Sequence, residues 1–231
     1  MTLIITARTT SFALVTADGR SSGRISSNTF QKIFPHSDRG IAIAHHGQNM
    51  IDERRVEEIA TEFLMANMNE IRESRIGEIA KLFVQRYGNS INRTLQNIPD
   101  SKYCGILFVG FGIEDNEPRV YEANWKKTND KEVRHDVNLL GDFIRSGDGK
   151  KYIDEYFKDP KNIQFLKNNI LKWNIEQTKA YCEKLYGFAE NNQTKAGEDI
   201  FGGYKHQLII KKSGCEWLIP PKQASPLVAG Q

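Results

Sequence analysis

TLIITARTTSFALVTADGRSSGRISSNTFQKIFPHSDRGIAIAHHG, residues 2–47, decides how this chain is read. Residues 2–8 (TLIITAR) and 11–16 (SFALVT) are short apolar runs rich in β-formers, joined through Arg8-Thr9-Thr10, and predict two strands in a hairpin. Asp18-Gly19 ends the second run as a turn. Residues 32–34 and 40–46 (GIAIAHH) add two strands, the last stopped by Gly47. The period then changes. Val56, Ile59, Ala60, Phe63 and Leu64, followed by Ile76, Ile79, Ala80, Phe83, Val84 and Tyr87, recur at the three-and-four spacing of an amphipathic stripe, which predicts two helices in succession.

Strands return at residues 104–111, 119–123 and 137–144. After Ser146-Gly147-Asp148-Gly149 comes a helix carrying Tyr152, Ile153, Tyr156 and Phe157, closed by Pro160; a second runs from Ile175 to about Ala189. Residues 161–174 read as extra material between them. Strands at 207–211 and 216–219, joined by Ser213-Gly214, complete the core. Strand runs alternating with helix pairs through short connections predict an α+β protein, antiparallel sheets covered by helices, in one domain over residues 1–220 with a flexible tail at 221–231.

Composition removes several function classes. Thirty-two basic and 29 acidic residues are intermixed, so the net charge of +3 gives no polycationic surface for nucleic acid. No apolar run approaches the roughly 20 residues of a membrane span, and no signal peptide opens the chain. Cys104, Cys182 and Cys215 are widely spaced without a C-x-x-C, as expected of reduced thiols in a cytoplasmic protein. His45 and His46 are adjacent on a strand and point to opposite faces, so they do not share a metal ion; no cofactor is expected.

Three segments, "TLIITA…TADGR", "QKIFP" and "GIAIAHHG", resemble the N-terminal half of proteasome β subunits and their bacterial relatives, the N-terminal nucleophile (Ntn) hydrolases. The predicted element order resembles that family's four-layer αββα sandwich, two antiparallel sheets flanked by helix pairs. By this resemblance Thr2 is the nucleophile, Asp18 and Arg20 the acidic and basic members of the family's turn, Lys32 the catalytic lysine, Gly47 the oxyanion-hole glycine and Ser146 the serine of an "SG" loop. Gly202-Gly203 match a glycine pair that the family precedes with an aspartate and a serine. Glu198 or Asp199 would supply that acid here, and Phe201 stands in the serine's place. The family's side-chain pocket maps onto Arg20, Ser21, Phe30, Phe34, His45, Asn49 and Glu53, and a polar His45 at its base implies polar or acidic preferences.

The chemistry explains why such residues would converge. A threonine hydroxyl needs a base, and at a chain's first residue the free α-amine, with an ordinary pKa of about 8, can serve. A nearby ammonium favours the alkoxide, and an aspartate holds that ammonium in place. Each residue also has a plain structural reading: strand opener, hairpin turn, exposed strand cation, helix cap. Only their joint order carries the resemblance. Removal of Met1 would free Thr2, a small second residue permitting it. The resemblance implies a peptide or unfolded-protein substrate and a homo-oligomeric ring, with an ATPase unfoldase as a conceivable partner. Alternatives are an inactive ring subunit, disfavoured because only Met1 precedes the first strand, and an Ntn amidase acting on a small amide.

Overall fold

The computed structural model describes residues 2–20, 27–36, 38–98, 103–128 and 132–222. Met1, Ser21 and most of the tail foreseen at 221–231 lie outside them. The chain is α+β, with antiparallel sheets. One five-stranded sheet takes the order β10-β1-β2-β11-β12, from β1 (Ile4–Arg8), β2 (Phe12–Ala17), β10 (Phe143–Ser146), β11 (His206–Lys211) and β12 (Gly214–Ile219). The other takes the order β3-β4-β7-β8-β9, from β3 (Ile33–Pro35), β4 (Ile41–Gly47), β7 (Tyr103–Gly110), β8 (Arg119–Lys127) and β9 (Val133–Leu139). A small hairpin, β5 (Met50–Ile51) with β6 (Arg54–Arg55), follows β4.

Thr9 makes the opening hairpin. Its Oγ1 accepts the Ser11 and Phe12 amides at 3.2 and 3.1 Å, a side-chain turn that releases β2 in register with β1, Ile4 opposite Ala17 and Arg8 opposite Ala13. Strand parity then sorts the side chains. Leu3, Ile5, Ala7, Phe12 and Leu14 join one apolar cluster; Ile4, Ala13, Val15 and Ala17 join another. The first cluster is shared with helices α4 (Lys150–Tyr156), α5 (Pro160–Asn169) and α6 (Ile175–Lys195). The second is shared with Ile33, Ala42, Ala44, Leu107, Val109 and Val120 of the second sheet. The other face of that sheet, through Ile41, Ile43, Phe108 and Trp125, packs on α1 (Val56–Ala66), α2 (Met68–Glu73) and α3 (Ile76–Asn97). Because each sheet is buried on both faces, its central strands are apolar almost throughout; each such Leu, Ile or Phe is worth roughly 1.5–3 kcal/mol relative to exposure.

Three expectations need correction. Pro160 closes one helix but also opens another: with no amide to leave unpaired it sits first in α5, capped by the Asp159 carboxylate on Lys161 N at 2.9 Å, so residues 161–174 are not extra material. Residues 137–144 are not one strand. Leu140 still bonds Val120, but Arg8 N already bonds Asp142 O, so the chain leaves the edge of one sheet and joins the edge of the other. A short α2 also intervenes between the two expected helices.

The sheets are locked together at one end. A Cβ on Gly40 would lie 1.9 Å from the Lys211 carbonyl oxygen of the facing sheet. Gly40→Ala should therefore cost on the order of 2–4 kcal/mol in urea unfolding, whereas Gly187→Ala, inside α6 with open space around it, should stabilise by up to about 1 kcal/mol.

Candidate active site

Asp18 follows β2 and is fully buried. Its Oδ1 accepts the Leu3 amide at 2.8 Å and the Lys32 ammonium at 2.8 Å; its Oδ2 accepts the Arg20 and Gly202 amides, each at 3.2 Å. Leu3 returns the contact through its carbonyl, bonded by Asp18 N at 3.2 Å. One carboxylate thus ties together the first strand, the turn after β2, the residue ahead of β3 and the glycine pair ahead of β11. Gly19 is required in that turn, since a Cβ there would lie 2.5 Å from the Tyr204 carbonyl oxygen.

Lys32 is buried with Asp18 and also donates to the Arg20 carbonyl. Burial lowers its pKa below the ordinary lysine value even though Asp18, and then Asp148, pull the other way. Its backbone is fixed from both sides: His45 N bonds Lys32 O at 3.1 Å, and Lys32 N donates to His206 Nε2 at 3.2 Å. That bond makes Nε2 an acceptor and His206 a neutral imidazole. Burial, followed by the Lys32 charge, lowers the His206 pKa to about 4.

Thr2, itself buried, precedes β1, and strand parity sets it on the Ile4 side, between the sheets. The Ser146-Gly147-Asp148-Gly149 loop closes over its backbone. Gly149 N bonds Thr2 O at 3.0 Å, and a Cβ on Gly147, whose φ is +87°, would lie 2.3 Å from that oxygen. Since β1 has β2 on one side and β10 on the other, Asp18 and Ser146 flank the Thr2 end of the chain from opposite sides. Gly47, at the end of β4 with φ of +83°, packs against Tyr103, where a Cβ would meet the carbonyl oxygen at 2.5 Å.

Thr2, Asp18, Arg20, Lys32 and Ser146 are therefore drawn around the start of β1. Asp199 reaches this group from outside, as an exposed ion-pair partner of Arg20. Glu198 does not join it; its carboxylate is engaged by Lys151 and by the Tyr152 hydroxyl at 2.6 Å, whose bonds hold its pKa below the ordinary value. Phe201, in the family serine's place, turns away into the α4–α6 cluster, 5.6 Å from the Tyr186 ring, while its amide and carbonyl are held by Gln193.

The anticipated pocket residues fare unevenly. Phe30, Phe34 and His45 are buried on one another, with ring centroids 5.7 and 5.9 Å from His45. Burial, then the Lys32 charge, pushes the His45 pKa well below its ordinary value. His45 is therefore neutral near pH 7 and offers no positive charge to an acidic side chain, which removes the electrostatic basis for the preference expected of it. Asn49 is half-buried and caps the hairpin through its carbonyl on Val56 N at 3.0 Å. Glu53 is exposed at the hairpin tip, where it and Asp52 both take positive φ, so it stands off from the cluster.

Sequence reasoning missed His206 and the role of Asp148. His206 opens β11 opposite Ala17, a pairing 189 positions apart in the chain that no local pattern reveals. Asp148 read as a helix cap, yet it faces Lys32 and Tyr103; burial and then Asp148 raise the Tyr103 phenol pKa above its ordinary value. No protein-family model matches the chain, and no curated protein matches it.

Two outcomes follow. Asp18→Asn strands a buried ammonium and should destabilise by roughly 3–5 kcal/mol in denaturant unfolding, whereas Asp199→Asn, on an exposed pair, should cost less than about 1 kcal/mol. For His206 the folded pKa lies below the unfolded one, so the unfolded chain binds more protons between pH 6.5 and about 4, and stability must fall as pH drops through that window. Thermal melts of the wild type should lose on the order of 3 kcal/mol more across it than those of His206→Asn.

Proposed function

We propose that this chain is a threonine-type Ntn hydrolase of the proteasome β-like kind, with the αββα sandwich of that family, and that it cleaves peptide bonds. The observation that carries the reading is the buried Lys32–Asp18 pair at 2.8 Å, bonded through the same carboxylate to the amide next to Thr2. Burying an ammonium is costly unless it is paired and bonded, so a paired lysine beside a strand-leading threonine calls for a reason beyond stability. The three apolar clusters, two between helices and a sheet and one between the sheets, support the four-layer reading.

In this mechanism whatever precedes Thr2 is first removed. The freed α-amine takes the proton of the Thr2 hydroxyl, and Oγ1 attacks the scissile carbonyl carbon. Lys32, already lowered in pKa by burial, favours the developing alkoxide by its charge, and Asp18 fixes its position. The Gly47 amide would meet the oxyanion, an interaction worth roughly 3 kcal/mol. Collapse releases the amine half of the substrate, protonated by the α-ammonium, and leaves an ester on Thr2. Water, deprotonated by the same amine, hydrolyses it. His206 holds the Lys32 backbone, and the Asp148 charge adds to that of Asp18 in favouring the Lys32 ammonium. Assembly into a homo-oligomeric ring belongs to the same proposal.

Intact-mass and N-terminal analysis before and after exposure to a peptide epoxyketone or β-lactone tests it. One adduct per chain on Thr2 is expected, lost in Thr2→Ala and slowed on the order of 10²–10³-fold in Lys32→Met. A chain whose Thr2 is never freed and never modified would instead be an inactive ring subunit.

A further inference from the structure

On the β10 side of Thr2, opposite the Lys32–Asp18 pair, lies a groove of about 1180 Å³ that begins at Ser146, Gly147 and Asp148. Its two walls come from different sheets. One is β10, all four of whose residues line it; the other carries Glu122, Asn124 and Lys126 of β8, alternate residues that share one face. Parity gives that face a position: Val120 of the same series belongs to the cluster between the sheets, as do Ala42 and Ala44, which are in phase with His46. The groove is thus the end of the inter-sheet space opposite the Gly40–Lys211 closure.

Its floor is polar and incompletely satisfied. His46 Nε2 and Glu122 Oε1 are 2.7 Å apart, and His46 is almost wholly buried over Gly105, where a Cβ would lie 2.2 Å from the ring. Among the described residues His46 Nδ1 and Asn124 Oδ1 are buried without a hydrogen-bond partner. Buried polar atoms in that state cost free energy until something bonds them. The Ser146 hydroxyl completes the floor on Glu122.

The rim is cationic once its internal pairs are set aside. Arg145 is bonded to Asp154 and Lys151 to Glu198, while Lys127 donates to the carbonyls of Gln96 and Ile98. Lys126 and Lys150 are exposed and have no ion-pair partner among the described residues. The remaining acids face inward: Glu122 on His46, where it also feels the Lys150 charge, and Asp148 toward Lys32 and Tyr103. Alongside runs β10, an edge strand of its sheet, and an edge strand is where a further extended segment can pair.

We infer that this groove binds an extended peptide segment bearing acidic side chains or a terminal carboxylate, laid along β10, with Lys126 and Lys150 reading its charge and His46 and Asn124 bonding its backbone or polar side chains. Its place follows from the reading of Thr2 as nucleophile: the cluster of Phe30, Phe34 and His45 lies on the Asp18 side, where Phe30 N bonds Gly19 O at 2.8 Å, so the groove takes the half of the substrate beyond the bond that is cut.

Binding and cleavage are measured separately, so that the two readings fail separately. Two fluorescein-labelled octapeptides, identical except for three glutamates or three lysines, are titrated by fluorescence anisotropy onto the full chain and onto Lys126→Glu/Lys150→Glu. The same proteins are assayed on a tripeptidyl aminomethylcoumarin, which has no peptide beyond the cut bond. The glutamate peptide should bind at least about tenfold tighter at low salt, the preference shrinking as ionic strength rises, and the double reversal should abolish it without changing coumarin release. Equal binding of the two peptides, or a preference that survives the reversal, overturns the groove assignment whether or not coumarin is released. Acid preference intact without coumarin release leaves the groove standing and counts against the hydrolase reading alone.

Discussion

The Asp18 carboxylate is the constraint on which the rest of the site depends. A buried carboxylate is tolerated only when its lone pairs are used, and here three backbone amides and one ammonium use them. The donors come from chain positions as far apart as Leu3 and Gly202, so satisfying the charge forces the start of the chain, the turn after β2, the approach to β3 and the approach to β11 into one place. Lys32 could not be buried without Asp18, and Asp18 could not be buried without the amides. The stability of the pair and the arrangement of the candidate chemistry are the same fact.

Strand parity carries this constraint outward. Both sheets are covered on both faces, so neighbouring residues in a strand enter different environments. His45 and His46 show the consequence. One ring is packed beneath Phe34 on the helix side and is kept neutral by burial; the other faces the opposing sheet and meets Glu122. At the Gly40–Lys211 end the sheets approach so closely that only glycine fits, and at the opposite end the space between them becomes the groove. The placement of Thr2 between an ion pair and that groove follows from its strand's position in the sheet order, flanked by β2 and β10.

Much of the fold was legible because local chemistry and long-range packing agree. The hairpin of β1 and β2, the stripes of α1 and α3, and the Gly-ended β4 were each readable from residue type and spacing. Residues 137–144 misled because a strand that changes sheets keeps its alternation; only its partners differ. Pro160 misled because the same property, a missing amide, ends one helix and suits the first turn of the next. Of the candidate site, Thr2, Asp18, Lys32 and Ser146 were singled out by the family resemblance that their order carries, and they lie together around the start of β1. Glu198 and Phe201 were aligned by proximity to a glycine pair, yet their side chains follow the packing of α4 and α6 instead.

By itself, then, the sequence determined the α+β class, most element positions and a small set of polar residues that stand out only through their joint order along the chain. Those are properties of period and residue type, which act over a few neighbours. The tertiary structure alone decided that Asp18 has four donors, that His206 backs Lys32 from a strand near the other end of the chain, that burial pushes the His45 pKa down, and that His46 and Asn124 look into a groove. Each of these depends on burial and on partners brought together by sheet pairing, and neither desolvation nor a hydrogen bond across some 180 residues leaves a local trace in the order of amino acids.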